Sequence, residues 1–245
     1  MPDFKSFFKV VRDHNFRKMV KWQYIDRFAA PHELARLHDR SFSLLSNTCV
    51  GVGVYHKYGL PYSTPTVGTL IITEEYLRLL ENLRYYLSQP LSFVKESKYP
   101  GVTQYCKGFS FPIGLLGNGE DSVEILFKHC KTEDEAYSKW TRRMERFNYD
   151  NLFVMMTDSA GADMGYPFKF EYAKRFDELP YRKVLFTCKP LPFACAVYIK
   201  NNMRGISVVE NMMYNRKYER YMDLTAWLNS TPPIACTIQN KEVTS

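Results

Sequence analysis

The sequence has no run that approaches the roughly 18 consecutive apolar residues needed to cross a bilayer. Its first residues, Met1-Pro2-Asp3-Phe4-Lys5, also lack the apolar segment of a secretory signal. Low-complexity tracts and repeats at a fixed spacing are absent as well. We therefore expect a protein without a transmembrane segment that stays in the cytoplasm.

Closely spaced cysteine pairs are missing too. The six cysteines are scattered, and no two of them form a Cys-x-x-Cys pair. In a reducing compartment such thiols stay free. The sequence therefore predicts neither a disulfide framework nor a zinc site, and we expect no metal and no cofactor.

A sustained basic stripe is also lacking, although the net charge is +7, from 33 basic and 26 acidic residues. The densest basic cluster, Arg142, Arg143 and Arg146, shares a predicted helix with several acidic residues. Mixed signs are typical of a solvated helix face, whereas nucleic-acid binding needs a longer basic footprint. We expect no nucleic-acid partner, and an anionic small-molecule substrate or a membrane surface is the better use of the excess charge, most of which needs no partner.

Strand and helix patterns alternate along the chain. Residues 3–24 place apolar side chains at helical spacing, which indicates a helical extension over residues 1–40 that packs on the core. Strands are predicted at 41–45, 67–72, 92–94, 111–116, 123–129, 152–157, 184–187 and 196–199, and helices at 49–58, 73–87, 132–147, 170–179 and 216–228. The alternation favours an α/β fold with a layered mixed sheet and flanking helices, built as a single domain over residues 1–245.

The turn 46–49, Ser-Asn-Thr-Cys, joins a predicted strand to a predicted helix. A thiol at a helix N-terminus faces unpaired N–H groups and the positive end of the helix dipole, and both lower the pKa of a thiol. His129 ends a predicted strand and Asp158 ends the next one, so adjacent strands would bring imidazole and carboxylate together. Cys49, His129 and Asp158 thus predict a nucleophile, a general base and an orienting acid. The competing interpretation is structural, since a free cysteine is commonly a small buried apolar residue.

The same turn supports a second hypothesis, in which it binds a phosphorylated ligand. Ser46, Asn47 and Gly51 would let the backbone approach a phosphate at the helix N-terminus. The spacing matches neither Gly-x-Gly-x-x-Gly nor the P-loop.

Tyr62, in the stiff loop after the helix, is predicted to line the pocket mouth, and Arg143 is predicted to pair with an anionic substrate. The structural alternative is a rigid connection for the Tyr62 loop and an ion pair with nearby acidic residues for Arg143.

Four segments together form a specific signature: SNTCVG, YHKYGLPYSTPTVG, ILFKHCKTEDEAYSKWTRRMERFNYDNLFVMMTD and FDELPYRKVLFT. In these segments the chain resembles an uncharacterised bacterial family, domain of unknown function nineteen-nineteen, whose members are often labelled exopolysaccharide or capsule biosynthesis proteins. The resemblance covers roughly residues 40–199 and implies a cytoplasmic role near surface-glycan assembly, with glycosyl, acyl or phosphoryl transfer as the chemistry.

The SNTC turn followed by GLPY is also similar, more weakly, to proteins described as papain-like cysteine peptidases. That resemblance implies the order of nucleophile, base and orienting acid for Cys49, His129 and Asp158. Val50 departs from the aromatic residue expected after the cysteine, which changes the shape expected of a pocket beside the thiol.

Three functional hypotheses result. The first is a Cys-His-Asp acyltransferase or hydrolase associated with exopolysaccharide or capsule biosynthesis. The second is a glycosyltransferase-like protein that binds a nucleotide-sugar or another phosphorylated ligand and is indifferent to thiol alkylation. The third is a non-catalytic partner in a glycan-assembly complex, which neither binds such a ligand nor depends on a reactive thiol.

Overall fold

The computed structural model describes residues 30–106, 111–199 and 221–231, together with Phe28 and Glu219. Its strands are β1 (Ser43–Ser46), β2 (Leu91–Val94), β3 (Ile113–Leu116), β4 (Val123–Leu126), β5 (Leu152–Thr157), β6 (Arg182–Thr187) and β7 (Ala196–Tyr198). Its α-helices are α1 (Ala30–Ala35), α2 (Val50–Tyr58), α3 (Thr73–Glu81), α4 (Leu83–Ser88), α5 (Pro100–Cys106), α6 (Glu133–Met144), α7 (Phe170–Glu178) and α8 (Leu224–Leu228). The helix predicted over residues 3–24 lies outside the described residues.

A parallel sheet carries strands in the order β1-β5-β6-β7. Every residue of β1 and β5 is buried. A parallel strand covered on both faces needs a nearly continuous apolar run, and β5 has one in Leu-Phe-Val-Met-Met-Thr. Because the strands are parallel, the segments that follow β1 and β5 leave the sheet at the same edge, and the turn to α2 begins there.

An antiparallel sheet carries strands in the order β2-β3-β4. One apolar cluster joins the two sheets, since it includes Leu45 and Val154 from the parallel sheet and Ile125 from β4. Helix α3 contributes several side chains to the same cluster, among them Tyr76 and Leu80. The α/β class with flanking helices is therefore confirmed, with the parallel and antiparallel strands divided between two sheets.

The stretch between α2 and α3 differs from the sequence prediction. A strand over residues 67–72 was expected, but Leu70 forms only an isolated bridge to Leu126. Gly68 has a φ of +78°, a left-handed conformation that interrupts an extended run. The prediction of a strand here is wrong, and the segment is a loop fastened to β4 at one point.

The helix predicted over 73–87 is two helices, divided at Asn82, whose backbone leaves the helical region with φ −136° and ψ 53°. Thr73 does not cap the first of these helices but is its first residue, and its hydroxyl donates to the Ala160 carbonyl. Thr132 does cap α6, because its hydroxyl accepts from the Glu135 N–H at 3.2 Å. Among the described residues, no helix is long and apolar enough to cross a membrane.

Candidate active site

The Cys49 sulfur lies 3.5 Å from Nε2 of His129. It also lies 3.7 Å from the carbonyl oxygen of Thr69, to which the thiol can donate. The thiol is partly buried, whereas His129 is exposed. A sulfur nucleophile within hydrogen-bond reach of an imidazole is the first geometric requirement for nucleophilic catalysis by cysteine.

The thiol stands at the N-terminus of α2, where Cys49 occupies the capping position. The Ser46 hydroxyl accepts from the Thr48 N–H at 3.3 Å, which tightens the turn out of β1. The Cys49 side chain makes no capping hydrogen bond to the first turn of α2. The Val52 N–H donates to the Cys49 carbonyl at 3.1 Å, and the other N–H groups of the first turn are the usual unpaired donors of a helix N-terminus.

The amide of Asn47 is fully buried and fastens the turn to β5. Its oxygen accepts from the Thr157 N–H and its nitrogen donates to the Thr157 carbonyl, both at 3.0 Å. Its own backbone carbonyl accepts from the Ile71 N–H at 2.9 Å. These bonds extend the pairing of β1 with β5 by one residue, which favours a structural role for Asn47 over contact with a ligand.

Arg143 and Tyr62 hold the loop that passes over the site. The buried Arg143 guanidinium donates to the Val67 carbonyl at 2.6 Å and lies 5.3 Å from the centre of the Tyr62 ring. The Tyr62 carbonyl accepts two hydrogen bonds from Arg146. Both predicted ligand-binding residues therefore bind protein atoms, and through Val67 they hold the loop segment that includes Gly68 and Thr69.

Gly68 packs directly against the imidazole of His129. A Cβ added to Gly68 would lie 3.5 Å from Cβ and 3.6 Å from Cδ2 of that histidine. Lys139 contacts the backbone of His129, because its Nζ donates to the His129 carbonyl at 3.3 Å. Gly68 and Thr69 were missed from the sequence, although the glycine in Thr-Val-Gly-Thr signals a turn.

The pKa shifts of Cys49 and His129 both favour the neutral form of the group. Burial raises the pKa of the Cys49 thiol, and the nearby Lys128 charge only partly opposes it. Burial, then the Lys128 and Lys139 charges, lower the pKa of His129. The sequence prediction of a lowered thiol pKa is therefore wrong, because burial outweighs the Lys128 charge and the backbone hydrogen bond that favour thiolate.

Asp158 follows β5 of the parallel sheet, whereas His129 follows β4 of the antiparallel sheet. The strands β4 and β5, which were expected to be neighbours, belong to different sheets, and β4 ends at Leu126. The Asp158 carboxylate accepts from the Cys188 N–H at 2.6 Å. Within the described ranges no hydrogen bond joins Asp158 to His129, so the adjacency expected from the sequence is wrong. The group found against the imidazole is the backbone of Gly68.

Thr48, one residue before the nucleophile candidate, carries an unusual hydroxyl. The residue is only 4% exposed, and its Oγ1 has no hydrogen-bond partner within the described part of the chain. Leaving a buried hydroxyl unpaired costs about 1–3 kcal/mol. A group of this kind beside a Cys-His pair calls for a functional explanation.

Comparison with known proteins gives two findings. A family model described as Domain of unknown function (DUF1919) matches residues 20–229, a span that contains Cys49, Thr69 and His129. A Haemophilus influenzae protein described as an uncharacterized protein is 34% identical over 200 residues, which cover 79% of this chain and 87% of that protein. Neither description assigns a reaction.

Proposed function

The chain belongs to the DUF1919 family, and from its Cys49–His129 pair we propose that it is a cysteine-dependent acyltransferase or hydrolase. The observation that carries the proposal is the 3.5 Å approach of sulfur to Nε2 across 80 residues of sequence. A structural cysteine needs no imidazole at that position, whereas a nucleophile does.

The neutral pair sets the order of the proton transfers. As the Cys49 sulfur attacks the acyl carbonyl, Nε2 of His129 takes the thiol proton. The resulting imidazolium gives that proton to the departing alcohol or amine when the tetrahedral intermediate collapses to a thioester. Water, or an acceptor hydroxyl or amine, then attacks the thioester while His129 accepts its proton, and the thiol regains a proton from the imidazolium on release.

The N-terminal end of α2 supplies the other component that acyl transfer needs. Cys49 is the N-cap residue of this helix and makes no side-chain cap hydrogen bond, so unpaired N–H groups of the first turn are suited to hold the negative oxygen of the tetrahedral intermediate. The Thr48 hydroxyl is a further donor or acceptor in the same turn that no described protein group uses.

The substrate context is part of the proposal. The resemblance to exopolysaccharide and capsule biosynthesis proteins supports an acyl group carried by a surface-glycan precursor, with the reaction in the cytoplasm. The alternative of a phosphate-binding turn has less support, since the Ser46 hydroxyl accepts from Thr48 N–H and the Asn47 amide is bonded to Thr157.

The pH dependence of Cys49 acylation by p-nitrophenyl acetate tests the proposed base. Only the neutral imidazole can accept the thiol proton, and the lowered pKa of His129 keeps it neutral below the ordinary value of about 6.5. The acylation rate should therefore be unchanged as the pH is lowered to ~6.5, and its decline should begin only at a lower pH. A rate that instead follows thiol ionisation alone, and that is unchanged in His129→Gln, would contradict the proposal.

Replacing Thr48 with valine should make the protein more stable and Cys49 less reactive. Valine keeps the shape and removes the unpaired hydroxyl, so the free energy of unfolding should rise by about 1 kcal/mol. The rate of acylation or of thioester hydrolysis should fall about tenfold, a loss of ~1.4 kcal/mol. Urea unfolding and p-nitrophenolate release measure the two effects, and Thr48→Ser serves as the control that retains the hydroxyl. A Thr48→Val protein that is less stable than the parent would show that the hydroxyl already has a partner.

A further inference from the structure

Lys128 is a cation beside the site that pairs with no carboxylate of the described residues. Its Nζ donates to the hydroxyl of Tyr105 at 2.9 Å and lies 5.0 Å from the centre of that ring. In the described ranges Lys128 forms no salt bridge. Lys139, the other lysine near His129, is paired with the Glu135 carboxylate at 2.6 Å.

The position of Lys128 in the chain holds it next to the reacting pair. It directly precedes His129 in the tight turn after β4, where its N–H donates to the Leu126 carbonyl at 3.0 Å. Its charge acts on both members of the pair, since it lowers the pKa of the Cys49 thiol and of the His129 imidazole. Because Nε2 of the neighbouring His129 lies 3.5 Å from the Cys49 sulfur, an anion bound by this ammonium would lie at the same site.

Tyr105 restrains the side chain of Lys128 without neutralising its charge. A lysine ammonium has three donors on a flexible stem, and a neutral hydroxyl partner occupies one of them while the full charge remains. One ammonium matches a singly charged carboxylate, whereas a phosphate dianion is usually held by several donors or by a bidentate arginine. The arrangement thus favours a carboxylate as the bound anion.

We propose that Lys128, positioned by Tyr105, binds a carboxylate of the acyl substrate and so selects acidic acyl groups for attack by Cys49. The inference rests on the proposed function and adds the substrate class to it. Lys128 is a specificity-determining residue in this account, and Tyr105 is a positioning residue that acts through it.

Two alkylating agents test the proposal without knowledge of the natural substrate. Iodoacetate carries a carboxylate next to the reacting carbon, and iodoacetamide is its neutral counterpart of nearly the same shape. The rate of Cys49 labelling by each is measured by peptide mass spectrometry, and the ratio of the two rates is compared between variants. Because the thiolate fraction enters both rates equally, the ratio reports the charge near the sulfur and is independent of the thiol pKa.

In Lys128→Gln the ratio of the iodoacetate rate to the iodoacetamide rate should fall about three- to tenfold, the effect of one nearby charge in a partly aqueous setting. Tyr105→Phe should lower the ratio about twofold, since the ammonium keeps its charge and loses its fixed position. Lys131→Gln makes the same charge change at an exposed position beyond the histidine and should leave the ratio unchanged.

An equal ratio in the parent and in Lys128→Gln, with Cys49 labelled by iodoacetamide in both, would overturn this inference and leave the proposed function standing. A Cys49 that neither agent labels, under conditions where the unfolded chain is labelled, would overturn both. Lys128→Arg is the second variant, because it keeps the charge and should retain more of the ratio than the glutamine variant does.

Discussion

Replacing His129 with glutamine should slow the acylation of Cys49 by p-nitrophenyl acetate about 10²–10⁴-fold, the usual contribution of a positioned general base. Glutamine retains a polar side chain but cannot accept the thiol proton, and the raised pKa of Cys49 leaves little thiolate at neutral pH to react unaided. The measurement is the single-turnover rate of p-nitrophenolate release at neutral pH with protein in excess of the ester.

The matched control is His56→Gln. That imidazole also has a hydrogen bond through Nε2, to the Tyr62 hydroxyl at 3.2 Å, but it lies near the C-terminal end of α2 and away from the thiol. Its replacement should leave acylation within about twofold of the parent, since it takes no part in the proton transfer. An acylation rate in His129→Gln equal to that of the His56→Gln control would remove the histidine from the mechanism.

Replacing Asn47 with alanine should lower the free energy of unfolding by about 2–4 kcal/mol, because it leaves the buried N–H and carbonyl of Thr157 without partners. The loss corresponds to a factor of about 30–1000 in the folding equilibrium. Urea unfolding followed by circular dichroism measures it, and an unchanged dependence on urea concentration would show that the fold is retained.

Asn229→Ala is a matched control for this stability prediction. The Asn229 amide makes a similar pair of backbone contacts, accepting from His38 N–H and donating to the Arg36 carbonyl, both at 2.9 Å, but at an exposed position. Water can replace its bonds, so the loss should be about 1 kcal/mol or less. If Asn47→Ala were as stable as the control, Asn47 would be available to bind a ligand and the phosphate-binding hypothesis would regain support.

Local signals in the sequence were sufficient for much of the fold. Helix 49–58 ends at Gly59, whose φ of +63° fits the left-handed conformation that glycine adopts after a helix. Thr132 caps α6 as its spacing from Glu135 predicts, and the apolar run 152–157 is a buried strand. Each of these features depends on neighbours within a few residues, which is the range that a pattern in the sequence describes.

The features that were predicted wrongly depend on partners distant in the chain. The apolar pattern of 123–129 does not reveal that the strand ends at Leu126, or that it belongs to a different sheet from β5, so the partner of Asp158 could not be read from it. The pKa of Cys49 likewise depends on how the loop carrying Thr69 covers the sulfur. A helix N-terminus alone predicts a lowered pKa, and burial outweighs it here.

The most direct test of the central claim is to locate the acyl group after brief exposure of the protein to p-nitrophenyl acetate, using peptide mass spectrometry at neutral pH. The other described thiols, Cys130, Cys188 and Cys195, serve as internal references in the same digest. The account predicts a thioester on Cys49, absent from Cys49→Ala and strongly reduced in His129→Gln. Acetylation spread evenly over the cysteines, or equal at Cys49 with and without the imidazole, would contradict it.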